Sequence, residues 1–158
     1  MKNEHLTPLS SPIAAGQPAP HFTLLDQDRE EWSLEEHLGS GDVVLCFYPL
    51  DFTSVCESEM TCLTAEMDRF REQGATAVGI SCDSFAAHKA WADQLGLDQR
   101  LLADMHREVC KAFGFYWADL NVASRGTVVI GADGIVKWAE SREPGSAMDV
   151  TAVLEAAR

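Results

Sequence analysis

The sequence predicts a single α/β domain whose central mixed β-sheet is flanked by helices on both faces. Short apolar runs alternate with longer segments of helical periodicity, an order that pairs strands in parallel and places the connecting helices against the sheet. Two later apolar runs flank Asp133-Gly134, a dipeptide typical of tight hairpins, so the sheet also gains antiparallel strands. A chain of 158 residues is the size of one domain, and no repeat or internal linker divides it.

The first elements lead up to the centre of this sheet. Residues 1–18 are rich in proline, serine and alanine and are expected to form an N-terminal arm, whereas residues 19–158 form the domain. Loose alternation over residues 21–25 indicates an edge strand. A serine followed three residues later by a glutamate has the pattern of a capping box, which predicts a short helix over residues 33–38. The unbroken apolar run 43–48 indicates a strand that is buried on both faces.

The middle of the chain continues this alternation. Pro49 ends the buried strand, because a proline cannot donate to a central ladder. Apolar residues at helical spacing predict a helix over residues 54–73, and a glycine follows it at the position that a helix C-terminus prefers. Residues 75–81 form the next apolar strand, and Asp83 or Ser84 then caps a helix that reaches about residue 95.

The last third of the chain closes the sheet. It contains a short strand, a short helix that ends at a glycine, the hairpin, and a final amphipathic helix that begins at a serine or at an aspartate. In order, these elements are residues 101–103, 106–113, 127–130 and 135–139, and a helix from Ser146 or Asp149 to 157.

Charge and cysteine use exclude several classes of protein. Lys and Arg number 12 against 25 Asp and Glu, a formal net charge of −13, so a nucleic-acid backbone or an anionic membrane would be repelled. No run approaches the ~20 apolar residues that a membrane span needs. The five cysteines are an odd number without a CxxC pair, which favours a reducing compartment, the cytoplasm, over a disulfide-stapled secreted scaffold.

One segment combines a strand end, a short loop and a helix that carries a cysteine in its first turn. In open α/β sheets, ligands bind beyond the carboxyl ends of the strands, where this loop lies. The unpaired N–H groups and the positive end of the helix dipole favour a thiolate over a thiol at Cys56. Cys56 is therefore the candidate nucleophile, and the alternative is a buried structural thiol.

The residues around this cysteine resemble the peroxiredoxins, the thiol peroxidases of the thioredoxin superfamily. The motif Pro49-x-x-x-Thr53-x-x-Cys56 matches their signature, and Glu59 stands three residues after the cysteine as it does in that family. The segment 81–91 and the later Arg125-Gly126-Thr127 are similar to the family at the corresponding places, and the likeness runs from about residue 19 to residue 139. The AhpE-type, often one-cysteine, branch looks closest, and the resemblance implies a thioredoxin-like fold.

The resemblance also implies a role for each residue of the site. The Cys56 thiolate attacks one peroxide oxygen and becomes a sulfenic acid, while Thr53 hydrogen-bonds the thiolate and the incoming peroxide. Arg125 binds the peroxide oxygens, Pro49 shields the thiolate from water, and Glu59 orients Arg125. Simpler interpretations stay open: an N-cap for the threonine, a strand end for the proline, a surface ion pair for the arginine and an ordinary first-turn acid for the glutamate.

By this resemblance the chain reduces hydrogen peroxide and organic hydroperoxides, and a thioredoxin-, glutaredoxin- or mycoredoxin-like reductant recycles it. No cofactor and no metal is expected, because the thiolate is the whole redox centre. A homodimer formed through the loops around the active site is expected, with Phe52, Phe115 and Trp117 as candidate interface residues. The alternative function is a redox-sensing or thiol–disulfide exchange protein of the same fold.

The other cysteines decide how the sulfenic acid is resolved. Cys62, six residues after Cys56, is a candidate resolving cysteine, but six helical steps turn about 240°, so a disulfide requires the first turns to unwind. Cys82, at the end of the next strand, is a second candidate. Cys46 lies in a buried strand and Cys110 is either a packing residue or a surface thiol. A histidine and a tryptophan, His88 and Trp91, are expected to pack their helix against the sheet.

Overall fold

A computed structural model of the protein describes residues 2–158 and confirms the predicted α/β class with its mixed central sheet. None of its helices is both long and apolar enough to cross a membrane. The strands are β1 (Thr23–Leu25), β2 (Glu31–Ser33), β3 (Val43–Phe47), β4 (Thr76–Ser81), β5 (Arg100–Ala103), β6 (Tyr116–Trp117), β7 (Val122–Ala123), β8 (Gly126–Ile130) and β9 (Val136–Ser141). The helices are α1 (Leu34–His37), α2 (Ser54–Glu72), α3 (Phe85–Leu95), α4 (Glu108–Ala112) and α5 (Val150–Ala156).

Seven of these strands form one sheet in the order β2-β1-β5-β4-β3-β8-β9. β3, β4 and β5 are parallel, whereas β8 pairs antiparallel with both β3 and β9. Successive side chains of β3 enter two separate cores, because the side-chain period of a strand is two. Val44 and Cys46 pack with α2, α3 and α5 on one face, and Val43, Leu45 and Phe47 pack with α1 and α4 on the other. Helices therefore cover both faces of the sheet, as predicted.

The prediction of a capped helix over residues 33–38 is wrong at its start. Ser33 is the last residue of β2, and its hydroxyl bonds across the strand pair to the Thr23 hydroxyl at 2.7 Å instead of capping α1. The serine hydroxyl thus has a partner ten residues away that the local pattern does not reveal. At the other end of the chain, Asp149 and not Ser146 begins the last helix, since its carboxylate accepts the first free N–H groups of α5.

Residues 2–18 lie along the domain and are tied to it by backbone hydrogen bonds. Leu9 N–H donates to the Lys111 carbonyl, and Ile13 N–H donates to the Phe113 carbonyl, both at 2.9 Å. The side chain of Ile13 is buried in the core on the α4 side of the sheet. This segment therefore supplies core contacts as well as covering surface.

Strand pairing brings two distant parts of the chain together at one end of β3. β3 ends at Phe47, and the following loop leads into α2, which carries Cys56 in its first turn. In the antiparallel β3–β8 pair, Phe47 lies opposite Gly126, so Arg125 emerges beside that loop. Gly126 leaves room for the buried Phe115 ring, because a β-carbon at residue 126 would overlap it. The sheet register thus places the arginine at the start of α2.

Candidate active site

Cys56 is the third residue of α2 and is almost completely buried, with 1% of its surface exposed. Thr53 precedes the helix with an extended backbone, so the first N–H groups of α2 are free to face the sulfur and its ligands. A small molecule that reaches this buried sulfur meets the N–H groups at the start of the helix. The position therefore suits a small, polar substrate.

The Arg125 guanidinium is the cation that faces this sulfur. Its Nη2 lies 3.4 Å from Cys56 Sγ, within hydrogen-bond distance for a sulfur acceptor. Its Nε donates to the Pro144 carbonyl at 3.1 Å, which fixes the plane of the guanidinium. The Arg125 side chain is itself buried. The guanidinium thus places a permanent positive charge and a hydrogen-bond donor directly against the sulfur.

Glu59 holds two arginines together beneath the sulfur. One carboxylate oxygen accepts from Arg125 Nη1, and the other accepts from Arg142 Nη2 at 3.2 Å and from the Met148 N–H at 2.8 Å. The Glu59 side chain is 1% exposed, so these are buried ion pairs rather than the first-turn surface acid of the simpler interpretation. Two buried guanidiniums face one buried carboxylate, and a thiolate at Cys56 supplies further compensating negative charge.

Thr53 has a different partner from the one expected. Thr53 occupies the N-cap position of α2, as the simpler interpretation has it, but its hydroxyl donates to the Leu50 carbonyl at 2.7 Å and makes no capping bond. Because the hydroxyl hydrogen is engaged within the loop, the lone pairs of the Thr53 oxygen stay available to accept a hydrogen bond. Thr53 can therefore receive the hydrogen of an approaching O–H group.

A cleft of about 390 Å³ opens to solvent beside the two arginines of this cluster. The predicted Pro49 is buried in the wall of the cleft, beside the two arginines. Most of the remaining lining residues are chain neighbours of the arginines, and Trp117 comes from β6. The lining residues are Pro49, Trp117, Ser124, Arg125, Ser141, Arg142, Glu143 and Pro144.

Comparisons with known proteins agree with this geometry. The model of the AhpC/TSA family matches residues 15–139, which is most of the chain. The chain belongs to the AhpC/TSA family. It is a peroxiredoxin of the AhpE-like branch: it is 36% identical over 139 residues to alkyl hydroperoxide reductase E of Mycobacterium tuberculosis, with 87% of this chain and 91% of that protein covered. It is also 38% identical over 132 residues to peroxiredoxin-2 of Cricetulus griseus, covering 77% of this chain and 66% of that one.

Solved peroxiredoxin structures share the fold over nearly the whole chain. The peroxidoxin BcpB of Mycobacterium tuberculosis superimposes with a TM-score of 0.84 at 30% identity, covering 91% of this chain and 96% of that one. The reduced 2-Cys peroxiredoxin of Plasmodium vivax gives 0.83 at 31% identity, with 90% and 79% covered. The fold of this peroxiredoxin is thioredoxin-like, and its activity is thiol-dependent reduction of peroxides.

Sequence analysis missed the second arginine of the peroxiredoxin site. Arg142 follows β9, and its N–H donates to the Arg125 carbonyl at 2.9 Å across the hairpin. Its guanidinium also donates to the Thr127 hydroxyl at 3.0 Å and to Glu140 at 3.0 Å. The signal was available, because counting the antiparallel register outward from the Asp133-Gly134 turn brings Arg142 next to Arg125.

The remaining cysteines of this peroxiredoxin fall into two groups. Cys62 is exposed on α2, whereas Cys46, Cys82 and Cys110 are buried, so Cys110 is a packing residue and not a surface thiol. Burial raises the pKa of Cys46 to about 12. The hydrogen bond with the Cys82 thiol, whose sulfur lies 3.8 Å away, and burial raise the pKa of Cys110 well above its ordinary value. Cys46 and Cys110 are therefore poor nucleophiles at neutral pH.

We expect native, reduced protein to show a rapid phase with Ellman's reagent that belongs to Cys62 alone. The bulky reagent reaches an exposed thiol, whereas the four buried thiols are too enclosed for a molecule of its size; Cys56 is open only to much smaller reagents such as hydrogen peroxide and iodoacetamide. The measurement is the absorbance of released thionitrobenzoate at pH 7.5 in the wild type and in the Cys62→Ser variant. Loss of the rapid phase in the variant confirms the assignment, and a rapid phase that persists would contradict it.

Proposed function

We propose that Cys56 is the residue that reduces the peroxide. The observation that carries this proposal is the Arg125 guanidinium donating to Cys56 Sγ at 3.4 Å inside a buried site at the start of α2. None of the other four thiols has a cation as a hydrogen-bond partner among the described residues. A nearby cation and a helix N-terminus each favour activation of a thiol for nucleophilic attack, and Cys56 has both.

The reaction is a displacement at oxygen. The Cys56 thiolate bonds to the terminal oxygen of the hydroperoxide, which keeps its hydrogen, while the O–O bond breaks. The electron pair leaves with the second oxygen as hydroxide or alkoxide, which takes a proton from water, and the sulfur is left as a sulfenic acid. Negative charge moves from sulfur to the leaving oxygen, so Arg125 donors that span both positions stabilise the transition state more than the bound substrate. The Thr53 oxygen accepts from the O–H that is attacked.

Pro49 and Glu59 support these groups without contacting the peroxide. Pro49 lies buried in the wall of the cleft and offers no N–H, so it limits the access of water to the sulfur without adding a competing donor. Glu59 keeps the Arg125 guanidinium turned toward Cys56 through their ion pair. The site thus holds its donors in place before the peroxide arrives, which lowers the cost of reorganisation during the reaction.

An outside thiol reduces the sulfenic acid. Intact α2 directs Cys62 away from Cys56, since six residues turn the helix by about 240°. A thioredoxin-, glutaredoxin- or mycoredoxin-like protein, working in the cytoplasm, is the proposed reductant, and the five free thiols of the chain suit a reducing compartment. The proposed assembly is a homodimer through the active-site loops, where Phe52 is 54% exposed. Phe115, in contrast, is buried and is excluded from that interface in the folded chain.

The experiment mixes reduced protein with one equivalent of hydrogen peroxide in a stopped-flow instrument and then measures the intact mass. We expect the wild type and the Cys62→Ser variant to react at the same rate, much faster than a free thiol, and to gain one oxygen, about 16 Da. The Cys56→Ser variant should show no rapid reaction.

Each other outcome identifies the part that is wrong. Rapid reaction of the Cys56→Ser variant would overturn the assignment of the nucleophile. A wild type that loses two hydrogens, while Cys62→Ser gains an oxygen, would establish Cys62 as the resolving cysteine and overturn the external resolution of the sulfenic acid.

A further inference from the structure

A buried polar network lies beneath the loop that joins β3 to α2. His88, on α3, is completely buried and 37 residues from its partner Asp51 in that loop. Its Nδ1 lies 2.6 Å from Asp51 Oδ2, and its Nε2 lies 3.0 Å from the Leu102 carbonyl oxygen. The sequence predicted only packing for this histidine.

Both ring nitrogens of His88 therefore face acceptors. A carbonyl oxygen only accepts, so Nε2 carries the hydrogen of that bond, and Nδ1 shares a hydrogen bond with the Asp51 carboxyl group. Both side chains are shielded from solvent. The pair holds its position, because moving either partner leaves a buried polar group without its hydrogen bond.

Asp51 transmits this rigidity to the loop. The Tyr48 hydroxyl donates to the other carboxylate oxygen of Asp51 at 2.7 Å, and the backbone N–H of Asp51 donates to the Asp83 carboxylate at 2.9 Å. Burial, together with the adjacent Asp51 charge, raises the pKa of Tyr48 well above its ordinary value, so the hydroxyl stays a donor. The first and fourth residues of the loop, Tyr48 and Asp51, are thus tied to each other and to the segment that follows β4.

The next residue of the loop is held in a conformation that it would not adopt freely. Phe52 has a φ of 63°, which lies in the left-handed region. This backbone conformation is energetically unfavourable for a bulky residue such as phenylalanine. Thr53 follows directly, and its hydroxyl turns back to the Leu50 carbonyl at 2.7 Å. Because Asp51 is fixed on one side and α2 on the other, the loop cannot relax by rotating Phe52.

We propose that His88 is a positioning residue for peroxide reduction: through Asp51 it holds the loop so that the Thr53 oxygen faces the peroxide. The proposal rests on the proposed function of Cys56 and adds a residue that does not touch the substrate. Without the His88–Asp51 hydrogen bond, Phe52 relaxes to a negative φ and the Thr53 oxygen moves. Arg125 and α2, which activate the sulfur, keep their places because they are anchored by β8 and Glu59.

The test compares two reactions of the same sulfur in the full-length protein. Reaction with hydrogen peroxide needs the Thr53 oxygen, whereas alkylation by iodoacetamide needs only the thiolate. We expect His88→Gln and Asp51→Asn to slow the peroxide reaction by about 30- to 100-fold, as a displacement near 1 Å does. Alkylation of Cys56 should change by less than about threefold in the same variants. His37→Gln, which alters a half-buried histidine that stacks on Trp32, is the matched control and should leave both rates unchanged.

A double-mutant cycle with Thr53→Val shows whether His88 acts through Thr53. If it does, adding His88→Gln to Thr53→Val slows the peroxide reaction by less than about threefold further. Full additivity of the two effects, or an equal loss of both reactions in His88→Gln, would overturn the proposal. If His88→Gln fails to fold, Tyr48→Phe takes its place, because it removes only one hydroxyl of the network. Tyr48→Phe should slow the peroxide reaction by about 3- to 10-fold without slowing the alkylation of Cys56. A wild type that reacts no faster than a free thiol would instead refute the proposed function, which separates the two failures.

Discussion

Replacing Arg125 with methionine is expected to slow the reaction with hydrogen peroxide by about 10²- to 10³-fold, the loss typical of removing one preorganised donor from a site where charge develops. Methionine fills much of the arginine's volume but offers neither the charge nor the donor that faces Cys56 Sγ at 3.4 Å. The measurement is the second-order rate constant from stopped-flow fluorescence.

Two further variants separate charge from geometry at this position. Arg125→Lys keeps a charge but loses the planar fork that serves the sulfur, Glu59 and the Pro144 carbonyl at once, so an intermediate rate is expected. Arg69→Met removes an exposed arginine from the same helix as the cysteine and should react like the wild type. A rate for Arg125→Met within threefold of Arg69→Met would show that the guanidinium does not take part.

Replacing Glu59 with glutamine is expected to cost about 3–5 kcal/mol of the free energy of unfolding, because it leaves two buried guanidiniums without their shared carboxylate. For a chain of this length that loss lowers the melting temperature by roughly 6–20 °C. Urea denaturation followed by circular dichroism gives the free energy, and differential scanning calorimetry gives the melting temperature.

The matched control for this variant lies two residues earlier in the same helix. Glu57 is exposed in the first turn of α2, and Glu57→Gln should change stability by no more than about 0.5 kcal/mol. Equal stabilities of the two variants would mean that the buried ion pairs add nothing to the fold. In that case Glu59 would matter for the orientation of Arg125 alone, and only the peroxide rate would fall.

The parts of the site that could be predicted are those that follow from local rules or a compact motif. Cys56 was found because a strand, a loop and a helix start can be recognised within a dozen residues. Arg125 was found through the family resemblance, and the β3–β8 register explains why it meets the cysteine. Arg142 was missed because no local motif marks it: its place beside Arg125 depends on the register of the β8–β9 hairpin.

The network beneath the loop could not be predicted in the same way. An aspartate after a strand and a histidine in an amphipathic helix are both common, and neither shows that Asp51 and His88 will meet across 37 residues. The predicted capping bond of Ser33 was wrong for the same reason, since its hydroxyl has a cross-strand partner that a capping pattern cannot reveal. Strands β6 and β7 have two residues each, which is too short for any periodicity to register.

Gly126 has a consequence for how this sequence can drift over evolutionary time. The Phe115 ring occupies the space of its missing side chain and cannot retreat, because it is stacked on Phe47 with ring centres 5.2 Å apart. Substitution at this glycine is thus blocked by shape, although the residue has no chemistry of its own to preserve. The arginine and the glycine are expected to be inherited as a unit, so the glycine is as informative a landmark as the arginine in searches for distant relatives.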